Sequence, residues 1–167
     1  MKYRILCVCA VFGFAVAITP AQTKNSMSGT CAKPDVQQSV PAGDREGHVF
    51  TLGQGKCATK GEIGGVASKE GAFSEHGDST GNHSKAWGVY VETFESGDKV
   101  FYTYQTTGAM KDGALVTGGN KYQITGGTGK MKGIKGTGGC KLAGTAAGGL
   151  TYACNGQYTF AAAAPAK

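Results

Sequence analysis

Apolar and polar side chains alternate in short runs through most of this chain, and glycine, aspartate, asparagine or lysine breaks the runs. No long stretch repeats apolar residues at helical spacing. Alternation with period two sends successive side chains to opposite faces of a strand. The pattern therefore predicts an all-β domain, an antiparallel sandwich or barrel. The clearest hairpin runs from Trp87 to Thr106 around Glu95-Ser96-Gly97-Asp98. Folded about Ser96-Gly97, it sets Val91 opposite Tyr102 and Val89 opposite Tyr104. One face then carries Trp87, Val89, Val91, Val100, Tyr102 and Tyr104, and is expected to be core. The other carries Tyr90, Glu92, Phe94, Lys99, Phe101, Thr103 and Gln105, a mixed surface that faces solvent or lines a cavity.

Lys111-Asp112-Gly113 reads as the next turn, leading into Ala114-Leu115-Val116 and then Tyr122 and Ile124. The last hairpin folds about Ala147. Its inner face holds Ile134, Gly136, Gly138, Cys140 and Leu142 with Leu150, Tyr152, Cys154, Gly156, Tyr158 and Phe160. Lys135, Thr137, Lys141, Thr151, Asn155, Gln157 and Thr159 face outward. This register puts Tyr158 across from Gly136, where a ring can cover bare backbone. Residues 22–45 show no periodicity and are expected to form an extended arm or loop. The barrel or sandwich domain is then 46–160, with 161–167 a disordered tail.

The first residues change the picture. Met1-Lys2-Tyr3-Arg4 is basic, Ile5 to Ile18 is apolar, and Thr19-Pro20-Ala21 ends on a small residue. That order predicts a signal peptide over 1–21 and an exported product, periplasmic or extracellular. The apolar run is short for a retained membrane anchor, and no second such segment follows it, so no stable membrane insertion is expected after cleavage. Cys7 and Cys9 leave with the peptide. Cys31, Cys57, Cys140 and Cys154 remain, an even count that reads as two disulfides in an oxidising compartment. Folding about Ala147 sets Cys140 opposite Cys154, and Cys31 and Cys57 pair by elimination. No CxxC spacing suggests redox or zinc chemistry. Loss of Lys2 and Arg4 leaves 15 basic against 11 acidic side chains, a net charge of +4. The lysines are scattered and no aromatic–basic stripe accompanies them, which argues against nucleic acid as a partner.

Candidate chemistry is sparse. Gly126-Gly127-Thr128-Gly129-Lys130 lacks the spacing of a phosphate loop and reads as a tight turn. His76, Asp78 and His83 lie within eight positions but on a loop-like run, and no metal site is assigned. Ser79, Ser84 and Ser96 sit in turns without a nucleophile motif. Asn82-His83-Ser84 is a sequon of the short kind that arises by chance. Glu92 stands out because it lies inside a strong strand. We expect it to face water. If its face instead lines a cavity, desolvation raises its pKa and makes it a poised acid or ligand anchor. Trp87, Tyr90, Glu92, Tyr102 and Tyr104 are accordingly the candidate ligand-binding residues, with Glu92 the one catalytic candidate.

The stretch Tyr122-Gln123-Ile124-Thr125-Gly126-Gly127-Thr128-Gly129-Lys130-Met131-Lys132-Gly133-Ile134-Lys135-Gly136 resembles the signature of the allene oxide cyclase and dirigent-like β-barrel proteins. There a strand runs into Gly-Gly-Thr-Gly, a turn with a buried apolar residue, then Gly and the next strand. The 95–99 hairpin and the 111–113 turn fall in the matching order, and Pro41 to His48 resembles small exported bacterial proteins with this barrel. The resemblance spans roughly 41–160. It implies a single eight-stranded antiparallel barrel with a hydrophobic cavity, often a homo-oligomer. The pocket acids of the cyclases have no counterpart that can be placed here. The resulting expectation is an exported barrel that binds a small apolar or amphipathic ligand or a partner surface, without a cofactor. The alternatives are a cyclase or isomerase-like enzyme acting on a lipid-like substrate through Glu92, and a structural envelope protein.

Overall fold

A computed structural model describes residues 21–161. The signal peptide and nearly all of the tail expected from the sequence lie outside the described residues. Nine strands form one antiparallel sheet: β1 Thr23–Cys31, β2 Val36–Pro41, β3 His48–Ile63, β4 Val66–Thr80, β5 His83–Phe94, β6 Lys99–Lys111, β7 Ala114–Gly127, β8 Ile134–Gly144 and β9 Leu150–Phe160. The sheet runs β1-β9-β8-β7-β6-β5-β4-β3-β2, and β1 also pairs with β3. That pairing closes β1 and β3–β9 into an eight-stranded barrel and leaves β2 as an extra strand alongside the first half of β3.

The barrel therefore begins at Thr23 rather than at residue 46, and the expected arm is a wall strand. Met27 and Cys31 point inward, buried, while Lys24, Ser26, Ser28 and Thr30 point out. Only two apolar residues mark this alternation, too few to signal a strand locally. Its place is set by the backbone groups of β9 and β3, which would otherwise be unpaired edges. Both disulfides join directly opposed residues, Cys31–Cys57 across β1–β3 and Cys140–Cys154 across β8–β9.

Turn chemistry sets the register of each hairpin. Asp112 and Gly113 both take positive φ (51° and 77°), the two-residue turn that matches strand twist. The β5–β6 loop instead has three residues, Glu95-Ser96-Gly97, with Gly97 at φ 82° and the Phe94 N–H bonded to Asp98 O. Its centre is Ser96, one half-step from the centre expected. Tyr90 consequently faces Tyr102, and Glu92 faces Val100. A one-residue change of register turns a whole strand over, so β5 is inverted relative to the sequence expectation. Tyr90, Glu92 and Phe94 point inward, whereas Val89 is exposed and Trp87 lies on the outer face. The assignment of β6 is unchanged, with Val100, Tyr102 and Tyr104 inside.

One end of the barrel is plugged. Ile63, Phe94, Val100, Ile124, Met131 and Ile134 are almost fully buried there. Met131 enters from a short 3-10 turn, Gly129–Met131, between β7 and β8. The glycine motif serves this plug. Gly129 takes positive φ beside Asp98, whose carboxylate accepts the Lys130 N–H at 3.3 Å, and Thr128 Oγ1 accepts the Lys99 N–H at 2.8 Å. A side-chain carboxylate thus already occupies the backbone donor that a phosphate would need. Burial declines towards the opposite end, where the inner positions Gly53, Ala86, Thr106, Gly108 and Asn120 are only half-buried.

Candidate functional site in the barrel interior

Glycine shapes the interior. Inward-pointing tyrosines lie flat over glycines of the wall: Tyr90 over Gly71, Tyr104 over Gly88, Tyr152 over Gly29, and Tyr122 over both Gly138 and Gly156. A Cβ at any of these glycines would overlap the ring. Rings laid along the wall occupy less of the barrel's centre and bring their hydroxyls near other strands. Gly136 is covered differently from expectation. Ile124 packs on it, and Tyr158 turns towards the plug to accept the Gly64 N–H at 3.1 Å.

The hydroxyls form three hydrogen-bonded groups. Glu92 accepts from Ser68 Oγ through one oxygen and from the Tyr102 hydroxyl through the other, each at 2.5 Å. Next to it, Thr59 Oγ1 hydrogen-bonds with the Tyr90 hydroxyl (2.7 Å) and with the Tyr152 hydroxyl (2.8 Å), and the two phenols lie 3.1 Å apart. Nearer the half-buried end, the Tyr104 hydroxyl donates to Glu75 Oε2 at 2.8 Å. Tyr90, Tyr102 and Tyr122 meet edge to face, with centroids 5.8 and 5.6 Å apart, a favourable geometry for aromatic pairs.

Electrostatics follow burial. Glu92 is 1% exposed. Desolvation raises its pKa, and the Ser68 and Tyr102 hydrogen bonds oppose that rise without cancelling it. Glu75 is raised for the same leading reason, against its bond from Tyr104. Burial also pushes the phenols of Tyr90, Tyr102, Tyr104, Tyr122 and Tyr152 upward, so they remain neutral donors. The water-facing position favoured for Glu92 from sequence is replaced by a fully enclosed one, because β5 is inverted.

Three buried side-chain atoms have no hydrogen-bond partner among the described residues: the Tyr122 hydroxyl, Asn25 Oδ1 and Asn120 Oδ1. Register places all three on the same part of the inner wall. Tyr122, Gly138, Gly156 and Asn25 form one row across β7, β8, β9 and β1. Asn120, Cys140, Cys154 and Met27 form the next row towards the half-buried end. Unpaired buried polar groups are uncommon, and a native one calls for a water, ion or ligand. Neither asparagine belongs to a motif in the sequence. Asn120 follows two glycines, Gly118 and Gly119, and Asn25 lies in a segment without visible periodicity.

Of the five residues singled out from sequence, Tyr90, Glu92, Tyr102 and Tyr104 share the interior. Trp87 does not join them; it stacks on His76 outside the barrel, with centroids 5.5 Å apart and planes 17° apart. His76, Asp78 and His83 are likewise not assembled. Asp78 instead bonds His48 Nε2 at 3.1 Å, while His48 Nδ1 lies 2.5 Å from Asp44. No group of three His, Cys, Asp or Glu side chains among the described residues is placed to hold a metal. An open concavity of about 520 Å³ lies at the half-buried end, lined by residues of β5, β6 and β7 that include Ser84, Gly108 and Gly118.

No protein-family model matches the sequence, and no curated protein is similar to it. Among solved structures the chain is similar to the pterocarpan synthase dirigent protein GePTS1, at 12% identity and a TM-score of 0.49, over 96% of this chain and 100% of that one. No helix among the described residues is long and apolar enough to cross a membrane.

Proposed function

We propose that this is an exported binding protein whose barrel interior takes up a small amphipathic molecule, entering at the half-buried end and ending against Tyr122, Asn25 and Asn120. The observation that carries this reading is the set of three buried, unpartnered polar atoms on adjoining rows of one wall. Two of them are amide carbonyl oxygens and accept only, so the ligand must bring hydrogen-bond donors such as hydroxyl or amino groups. The tyrosine rings beside them supply apolar contact, so a partly apolar body fits better than a sugar or an inorganic ion. The two disulfides support the export assignment, because such bonds persist outside the reducing cytosol.

Binding fits the geometry better than acid catalysis by Glu92. Both carboxyl oxygens are occupied by Ser68 and Tyr102, and the group is enclosed. A general acid must reach the proton it moves within hydrogen-bond distance. Glu92 therefore holds Tyr102 in place rather than meeting a substrate.

Native mass spectrometry of the protein purified gently from its own exported pool tests the proposal. The expected result is an added mass of a few hundred daltons, on the order of a pocket-sized ligand, that is lost on denaturation and reduced in occupancy by Asn120→Leu. A clean apo mass, with no small molecule recovered by solvent extraction, would overturn it and leave the three atoms to buried water.

A further inference from the structure

β2 is the one strand among the described residues that pairs on a single side, and it lacks the usual protections of an open edge. Its six residues, Val36-Gln37-Gln38-Ser39-Val40-Pro41, are all exposed and carry no charge. Exposed edges are normally blunted by lysine, by a bulge or by proline within the strand. Here the sole such residue is Pro41, at the very end.

Backbone direction along the edge follows from the register. The Ala42 N–H donates to His48 O at 2.9 Å, in step with the pairing of Val40 to Phe50 and Gln38 to Leu52. Backbone groups alternate sides along a strand. Even-numbered residues therefore address β3, and the N–H and C=O of Gln37 and Ser39 point to the open side.

The sequence of the edge is nearly the same read in either direction. An antiparallel partner centred on Gln38 would set Val36 against Val40, Gln37 against Ser39 and Gln38 against its own copy. This register matches residue types at every position from 36 to 40. It also keeps Pro41, which has no N–H, out of the central ladder. A shift of two residues either way places a valine against Gln38.

The outward side chains agree with it. Val36 (48% exposed) and Val40 (62%) lie on the same outer face as Phe50 (49%) and Leu52 (58%). Pairing about a two-fold axis would extend the row Phe50–Val40 into Val36 of the partner subunit, and would cover apolar surface now open to water.

We propose that two copies of this chain associate through β2, edge to edge, with a two-fold axis at Gln38. The contact is isologous, with Gln37 and Ser39 of each copy exchanging four backbone hydrogen bonds, and it joins two barrels into one continuous sheet. It is independent of what the barrel interior binds.

Sedimentation of the purified protein over a range of concentrations tests this, together with a cysteine placed on the axis. Wild type is expected at twice the monomer mass. Ser39→Pro removes a donor that the barrel does not use, so the mass should halve while the far-ultraviolet circular dichroism is kept. Gln38→Cys should form a covalent dimer on mild oxidation, since directly opposed residues of a non-hydrogen-bonded pair lie within disulfide reach. Val36→Cys should cross-link with Val40→Cys when the two variants are mixed, and much less with itself. A wild-type monomer at all concentrations would overturn the proposal. So would an oligomer that survives Ser39→Pro and does not cross-link at 38, or a monomer whose edge is filled by an unrelated polypeptide. If Ser39→Pro does not fold, the Gln38→Cys result decides alone.

Discussion

Placing a methyl group on Gly71 tests whether the glycines of the wall exist to hold the tyrosine rings. A Cβ there would lie 2.7 Å from Tyr90 Cε2 and closer still to the hydroxyl end of that ring. The obstacle is a ring hemmed in by Tyr102 and by its own hydrogen bonds, not the free tip of a flexible chain. For Gly71→Ala the ring must swing away, breaking the bonds of the Tyr90 hydroxyl to Thr59 and Tyr152. Each such bond contributes about 1 kcal/mol net, and forcing extra volume into a packed interior costs about 1–3 kcal/mol more. Against this, alanine gains about 0.4–1 kcal/mol by restricting the unfolded chain. The net expectation is a loss of about 3 kcal/mol, on the order of 10 °C in Tm for a domain of this size. Gly126, where a Cβ meets nothing within 4 Å, is the control; Gly126→Ala should be neutral or slightly stabilising. Urea unfolding of both variants, and of Gly71→Ala in a Tyr90→Ala background, gives the answer. In that background the alanine should cost less than about 1 kcal/mol, because coupled neighbours are not additive. Equal costs at positions 71 and 126, or no relief from Tyr90→Ala, would refute the ring-seat explanation.

Glu92 binds its proton more tightly folded than unfolded, so its contribution to stability falls as pH rises from its ordinary value near 4.5 towards its raised folded value. Glu92→Gln lacks this dependence. The stability of the variant relative to wild type should therefore grow with pH across that window, by about 1.4 kcal/mol per unit of displacement; parallel urea midpoints from pH 4 to 8 would contradict the raised pKa. Tyr122→Phe removes an unpartnered hydroxyl and should leave stability unchanged or raise it by up to about 1 kcal/mol while weakening ligand binding. Tyr102→Phe deprives Glu92 of a donor and should cost about 1–2 kcal/mol, as read by the same titration. Replacing Cys140 and Cys154 together by alanine opens a loop with a sequence separation of 14 and should cost about 3 kcal/mol; peptide mapping without reduction should recover that pair and Cys31–Cys57.

What could be read from the sequence depended on how much of each element's fate was local. The β8–β9 hairpin, with Cys140 against Cys154, was legible because a clean alternation of apolar and polar residues fixed its register. The β5–β6 hairpin offered no such anchor. Both faces of β5 hold large apolar groups, so the turn alone decided, and a glycine at positive φ makes that turn three residues long. Glu92 stands out in the sequence as an acid inside a strong strand, but its burial depends on this half-step. β1 was invisible because its pairing partners lie at the far end of the chain and on β3. Asn25 and Asn120 carry no signal of their own; only the closed barrel makes them inward-facing and unpartnered.

The closure of β1 between β9 and β3 also governs how the protein can be made. Thr23 pairs with Tyr158 and Cys31 with Leu150, so the first strand among the described residues contacts the last. Contacts of such long range form slowly, because loop-closure entropy precedes any gain from pairing. No truncated or partly synthesised chain lacking β9 can close the barrel, and such a chain leaves β1 and β8 with open edges. Hairpins such as Ile134–Phe160 rest on local contacts, whereas closure requires the strand that begins at Thr23 to lie beside the one that ends at Phe160.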